Sequence, residues 1–250
     1  VSASLSPINV PLVLLIPLAL LLSGCSYIPF VDDGQREPDP WESMNRSVNT
    51  FNNGLDDYLL KPLAKGYQTI TPEPVDKGVS NFFSNLDDVT VVINDLLQFK
   101  VIQGTSDLAR LSINSTVGIL GLFDVADRIG IEKHHEDFGQ TLGFWGAPNG
   151  PYLVLPFFGP STLRDGTSMI AVDWRTDPLF YEKDRTVKYG LYTMDVIDTR
   201  ADLLYASNIV DKSSTDSYLF IRESYLQRRR NLVYDGKPPE DESMNEFLDL

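Results

Sequence analysis

The chain is poor in the side chains that most catalysis requires. Its 250 residues include one cysteine, Cys25, and two histidines, His134 and His135. A lone cysteine excludes an internal disulfide and any cysteine-based metal cluster, so stability has to come from packing. Basic residues are also scarce: 21 Lys and Arg stand against 35 Asp and Glu, a balance of −14. That excludes nucleic acid as a partner, because its binding rests on cations neutralising phosphates. It also excludes polybasic attraction to anionic lipid. A spanning helix needs roughly 20 apolar residues; the run Val10–Leu22 has 13 and contains Pro11 and Pro17. No Gly-x-Ser-x-Gly elbow, phosphate loop or dinucleotide fingerprint occurs. His134 and His135, beside Glu132, Glu136 and Asp137, are the one candidate for catalytic or metal chemistry. Adjacent histidines point different ways on a helix and His-x3-His spacing is absent, so a solvated loop is the plainer reading. The composition therefore leads to no enzyme, no metal and no cofactor.

The short apolar run ends in Leu22-Ser23-Gly24-Cys25. Small residues before a lone cysteine resemble a bacterial lipoprotein signal. On that reading the chain is cut before Cys25, and its sulfur and new amino group carry acyl chains. Each buried CH₂ contributes about 0.8 kcal/mol, so two or more chains anchor stably. The alternative is an ordinary secretory signal with a chance cysteine, and residues 1–24 lack the usual basic start. Ser26, by the same resemblance, directs the product to the outer membrane. The expected organisation is a signal over 1–24, a lipidated tether over 25–38, a helical domain over 39–234 and an acidic disordered tail over 235–250.

The first helix opens with Asp39 as cap, Pro40 at the first position and Glu42 completing a capping box. Trp41, Met44, Val48, Phe51, Leu55 and Tyr58 follow at spacings of three and four, one apolar stripe. Lys61-Pro62 is expected to end it. A second helix runs from about Val75 to Lys100, with Phe82, Phe83, Leu86, Val89, Val92, Ile93, Leu96, Leu97 and Phe99 as its apolar set and Asp87, Asp88, Asn94 and Asp95 as a polar side. On composition alone both stripes read as core. Further helices are expected at Thr105–Thr116, Asp184–Ser207 and Asp216–Tyr234.

Residues 138–166 are dense in glycine, proline and aromatics. The mixture argues against a regular helix, and proline bars a central strand; only Tyr152–Leu155 looks extended. A long irregular segment of this kind is often functional. Arg164-Asp165-Gly166 reads as an ion pair in a turn, or less simply as an anion site. Asn114-Ser115-Thr116 matches a glycosylation sequon and reads as helix surface. The fold class is mainly α, a helical bundle with one long irregular segment.

Ordered motifs then carry a resemblance. They begin with Asp39-Pro40-Trp41-Glu42 and Asn45-Arg46, followed by Ser80-Asn81-Phe82-Phe83-Ser84-Asn85-Leu86 and Asn94-Asp95-Leu96-Leu97-Gln98. Leu120-Gly121-Leu122-Phe123-Asp124-Val125-Ala126 and Glu136-Asp137-Phe138-Gly139-Gln140-Thr141-Leu142-Gly143 are the densest part. Gly150-Pro151-Tyr152-Leu153-Val154-Leu155-Pro156, Gly159-Pro160-Ser161-Thr162-Leu163-Arg164-Asp165, Thr199-Arg200-Ala201 and Arg222-Glu223-Ser224-Tyr225 complete it. From about Asp39 to Tyr234 the chain resembles the MlaA (VacJ) outer-membrane lipoproteins. The resemblance implies a ring-like helical bundle, embedded in or lying on the outer membrane around an amphipathic channel, beside trimeric porins. It implies retrograde transport: misplaced phospholipids leave the outer leaflet for a soluble periplasmic carrier, which keeps the membrane asymmetric. A glycine-flanked hairpin, mapping to about Gly118–Gly143, is implied as the moving part. Its candidate residues are Gly118, Gly121, Phe123, Asp124, Phe138, Gly139 and Gly143. Two positions depart from the family pattern, Asn49 where an aromatic is expected and Phe99 where a glycine is. The competing readings are a porin scaffold and a lipid hydrolase using His134 or His135.

Overall fold

The computed structural model describes residues 39–213 and 216–239; Cys25, the signal, the tether and the tail from 240 onward lie outside these. Helix α1 (Glu42–Leu55) opens at the Asp39 carboxylate, which accepts from Trp41 N at 3.2 Å and Asn45 Nδ2 at 3.1 Å. The capping box does not close, because Glu42 turns instead to Arg46 at 2.7 Å. Pro62 does not end the helix either. A π-helical turn, Asp56–Leu60, leads straight into α2 (Lys61–Ile70), and the Lys61 N–H bonds back to Asp56 O. The wider turn places proline in the first turn of α2, where its missing N–H costs little.

Helix α3 (Glu73–Leu97) starts behind Pro72, with Glu73 and Asp76 in its first turn. It stops three residues short of expectation at a tight turn in which Phe99 has φ +60°. This is the position where a glycine was expected, and the turn keeps its left-handed geometry with phenylalanine in place. Helix α4 (Val101–Thr116) then starts four residues earlier than expected and lies along α3. Gly104 permits that approach, since a Cβ there would stand 3.0 Å from Asp95 Cβ.

The short α5 (Val125–Arg128) is capped by Asp124. The expectation of no helix within 138–166 fails at α6 (Phe138–Phe144) and at α7 (Leu163–Ser168). Asp137 caps α6 by accepting from Gln140 N at 2.8 Å, and Thr162 caps α7 by accepting from Asp165 N at 3.1 Å. Gly139 and Gly143 fall one turn apart and mark close approach, not a break: a Cβ at Gly139 would lie 2.5 Å from Asp165 Oδ1, and one at Gly143 2.7 Å from Arg164 Nη1. Strands β1 (Tyr152–Leu155) and β2 (Gly159–Thr162) pair antiparallel, Tyr152 opposite Thr162. Pro160 is tolerated because a two-stranded sheet has no central strand. After α7 the chain passes a π-helical turn, Met169–Asp173, and α8 (Trp174–Thr176). It continues into α9 (Arg185–Asp202), α10 (Leu204–Ser213) and α11 (Ser217–Val233).

The expected core is inverted. Among the described residues, twenty-one buried side chains are polar or charged and ten are apolar, while three dozen large apolar side chains are exposed. On α1, Met44 and Phe51 are 47% and 50% exposed, and Tyr58 of the following turn is 90% exposed, whereas Asn45 is fully buried. On α3, none of the apolar set is buried, and Asn85, Asp88, Asn94 and Asp95 are. The polar side of each helix therefore faces inward. Asn45 shows how this is stabilised: its amide donates to Tyr152 O at 3.0 Å and accepts from Val154 N at 2.9 Å. Asn52, two turns on, does the same with Leu155 O and Phe157 N, each at 2.9 Å. The two asparagines satisfy the open edge of β1 in place of a third strand. Among the described residues, buried apolar side chains gather in two small clusters, Ala64/Tyr67/Ala201/Leu204 and Tyr152/Val154/Tyr218, and Val48 of the α1 stripe joins the second.

Candidate functional site: an acidic cavity

The inward polar faces enclose a cavity of about 610 Å³, within the range of small-molecule sites. Helix α3 contributes Ser80, Phe83, Ser84, Leu86, Asp87 and Thr90; α9 contributes Tyr192, Asp195, Asp198, Thr199 and Asp202. The 133–137 strand of chain, the segment 160–179 and Tyr225 and Arg229 of α11 complete the wall. Asp195, Asp198 and Asp202 recur at three and four residues, so one helical face carries all three. Phe83, Leu86, Met169, Trp174 and Leu179 add apolar surface, and the lining is therefore amphipathic.

Carboxyl groups dominate its charge. Arg229 and Lys133 are the guanidinium and ammonium in the wall, and both are engaged. Arg229 is 6% exposed; it binds Asp137, and its Nη2 reaches Asp165 at 3.0 Å. Burial pushes the Asp137 carboxyl up, but the Arg229 hydrogen bonds and charge outweigh it and hold that group below its ordinary value. Lys133 Nζ is held by Asp88 at 2.7 Å and Ser84 O at 2.8 Å. Asp198 accepts from Tyr67 and Ser80, each at 2.8 Å, and Asp177 from Tyr192 at 2.7 Å. No hydrogen bond or ion pair reaches Asp195 among the described residues. Burial, and then Asp198 and Asp177, push it up to about 6. Asp173 is also pushed to about 6 by burial, against the Phe138 N–H it accepts at 2.9 Å.

The candidate residues named from sequence fall into two groups. Gly118, Gly121, Phe123 and Asp124 form a tight turn behind α4, where Ile119, Leu120 and Gly121 have φ of +55°, +57° and +90°. That turn sits on α3: a Cβ at Gly121 would lie 2.4 Å from Asn85 Cβ. Asp124 is tied to Arg110 and to Asn114 at 3.0 Å. Asn114 is buried and its Oδ1 caps Val125 and Ala126, so the sequon is not helix surface. Phe138, Gly139 and Gly143 lie instead on α6, beside the cavity residues Asp165 and Arg229. Arg164 and Asp165 form a buried ion pair at 3.0 Å.

The two histidines separate. His135 lines the cavity, and burial lowers its basicity. His134 points to the opposite side, where Nδ1 meets Asp107 at 2.9 Å. Ser106 shares a shallow groove with His134, but no hydrogen bond joins them. Among the described residues no three His, Cys, Asp or Glu side chains converge as a metal site. Sequence reasoning missed Asp195, Asp198, Asp202, Lys133 and Arg229; the acidic repeat on α9 was the available signal.

The model of the MlaA lipoprotein family matches residues 37–232. The chain belongs to the MlaA lipoprotein family. It is 34% identical over 235 residues to the intermembrane phospholipid transport system lipoprotein MlaA of Escherichia coli K12, covering 90% of this chain and 89% of that one. The MlaA of Haemophilus influenzae is 30% identical, with 88% of each chain covered. An uncharacterized Rickettsia felis protein is 40% identical over 192 residues, 77% of this chain and 76% of its own. A solved structure described as the structural basis for maintenance of bacterial outer membrane lipid asymmetry superposes with a TM-score of 0.69 at 34% identity, covering 78% of this chain and 99% of that one. The helical fold of this MlaA-family chain is therefore shared with a protein of outer-membrane lipid asymmetry.

Proposed function

We propose that this protein is an outer-membrane lipoprotein, anchored by acyl chains on Cys25, that removes misplaced phospholipids from the outer leaflet. The phospholipid is its transported ligand. It passes through the amphipathic cavity and on to a soluble periplasmic carrier, in the presence of trimeric porins. The inverted polarity carries this reading. Apolar side chains such as Phe51, Ile70 and Tyr205 face outward, and charged ones face the cavity. A solvent of acyl chains outside and a headgroup inside reconcile both surfaces; leaving the tails in water would cost about 0.8 kcal/mol per CH₂. No helix among the described residues is long and apolar enough to cross a membrane. Helices satisfy their own backbone, so they can lie in lipid without crossing it. The glycine-flanked hairpin, about Gly118–Gly143, is the element proposed to move.

Transport of an intact lipid requires no bond cleavage. Similarity to transport lipoproteins favours a non-enzymatic role, and His134 Nδ1 is engaged by the buried Asp107 carboxylate at 2.9 Å. Deleting the protein should raise phospholipid in the outer leaflet, read by a membrane-impermeant amine label on ethanolamine headgroups. Re-expression should reverse it. Unchanged labelling in the deletion strain would end this reading, and fatty acid released by the purified protein would favour hydrolysis.

A further inference from the structure

The carboxylates around the cavity fall into two sets. Asp137 and Asp165 are paired with Arg229, Glu136 with Lys100 at 2.7 Å and Asp87 with Lys133 at 3.7 Å. Asp173 and Asp177, with Asp195, Asp198 and Asp202 of α9, line the same cavity and have no ion pair among the described residues. Asp198 is the sharpest case. It is only 3% exposed, and its donors are the neutral hydroxyls of Tyr67 and Ser80, at 2.8 Å each. A buried carboxylate is ordinarily matched by a cation, because water no longer stabilises its charge. No side chain among the described residues supplies that cation, and the carboxylates do not converge as a metal site. They spread instead along the wall of a space of about 610 Å³ that also carries the rings of Phe83 and Trp174. Spread acceptors beside aromatic faces suit an organic ammonium, which offers several donors and rests on rings.

We propose that this unpaired set recognises the ammonium of a phospholipid headgroup, so that the cavity takes phosphatidylethanolamine in preference to phosphatidylglycerol. The inference rests on the transport reading above, in which the headgroup enters the cavity. The two lipids can carry the same tails, and both carry the same phosphate. They differ only beyond it, where one ends in an ammonium and the other in uncharged hydroxyls. Repulsion between the wall and the phosphate is therefore common to both and cancels in a comparison. One unit charge about 6 Å from one carboxylate, at an effective dielectric of about 40, corresponds to about a tenfold difference in occupancy. Several carboxylates act together, and salt weakens each.

The full chain in detergent is mixed with equal amounts of the two lipids, their acyl chains identical, and the retained lipid is extracted and weighed by mass spectrometry. The native protein should hold phosphatidylethanolamine about tenfold over phosphatidylglycerol, and the ratio should fall as sodium chloride rises from about 0.05 to about 0.5 M. Asp195→Asn with Asp202→Asn removes two charges that no hydrogen bond among the described residues engages, and should lower the ratio toward one. Asp57→Asn with Glu73→Gln removes the same charge from exposed pairs outside the cavity and should leave the ratio unchanged. A native ratio near one, a ratio that survives the cavity substitutions, or an equal fall in the outer pair would overturn the proposal. If the cavity variant does not fold, the native ratio still decides, because a preference unmoved by salt overturns it too. Free ethanolamine in excess should not displace the lipid; displacement would assign the set to a soluble amine and overturn the lipid assignment. Equal retention of both lipids leaves the transport reading standing, whereas retention of neither removes that reading and the proposal with it.

Discussion

Gly121 and Gly130 form a natural pair for testing whether the turn behind α4 is seated on α3. Both have left-handed backbone, φ +90° and +83°. A Cβ at Gly130 would meet nothing within 4 Å, while one at Gly121 would lie 2.4 Å from Asn85 Cβ and 2.8 Å from its Cγ. Left-handed geometry costs an alanine about 1–2 kcal/mol, partly offset by about 0.4–1 kcal/mol from a less flexible unfolded chain. Gly130→Ala should therefore destabilise by about 1 kcal/mol. Gly121→Ala must also displace Asn85 and strain its bond to Ser115 at 3.0 Å. That adds about 1 kcal/mol for the hydrogen bond and about 1–3 kcal/mol for overpacking. Each kcal/mol shifts melting by about 2–4 °C in a domain of this size. Gly121→Ala should thus melt about 4–16 °C below Gly130→Ala, followed by circular dichroism on detergent-solubilised protein. Equal melting would refute the packing argument. Surface phospholipid measured in the same strains separates a moving part from a packing position: a lipid defect larger than the loss of protein supports movement.

Arg229→Met removes the guanidinium that pairs with Asp137, leaves Asp165 to Arg164 and Tyr225, and should cost about 3–5 kcal/mol in urea unfolding; a neutral outcome would mean that the network around α6 is dispensable. Burial raises Asp173 and Asp195 to about 6, so their folded forms bind protons more tightly than the unfolded chain does. Stability from these groups is full below about pH 4 and falls as pH rises to about 6. Asp195→Asn should flatten part of that fall, and an unchanged difference between pH 4.5 and 6.5 would exclude Asp195 as a contributor. Membrane-extracted protein should begin at Cys25 with acyl mass in intact mass spectrometry; an unmodified cysteine would remove the proposed anchor.

Helix positions were largely legible in the sequence, because proline, caps and three-four spacing act locally. Asp39, Asp184 and Asp216 each open a helix where such chemistry directs one to begin. The passage through Pro62 was not legible, since a π-helical turn leaves no pattern in the side chains. Glycine misled at α6: Gly139 and Gly143 look like breakers until the one-turn spacing is set against the bulk of Arg164 and Arg229 facing them. The deepest misreading was of direction. An apolar stripe shows that a helix has two faces, but which one is inside depends on the solvent, and α1 and α3 turn their asparagines and aspartates inward. The same inversion hid the cavity, because Asp195, Asp198 and Asp202 read as an ordinary wetted face.

The asparagine ladder from Asn45 and Asn52 to β1 has a consequence for assembly. Its partners are more than 100 residues apart in the chain: Asn45 with Tyr152 and Val154, Asn52 with Leu155 and Phe157. Such contacts close large loops and come late in folding. An amide pairing of this kind competes poorly while water still reaches it, and only small apolar clusters are available to expel that water. The chain therefore matures in two stages. Separate helices come first, through their caps and local bonds. The joining of residue 45 to residue 154 follows, once packing excludes the water that competes for the amides.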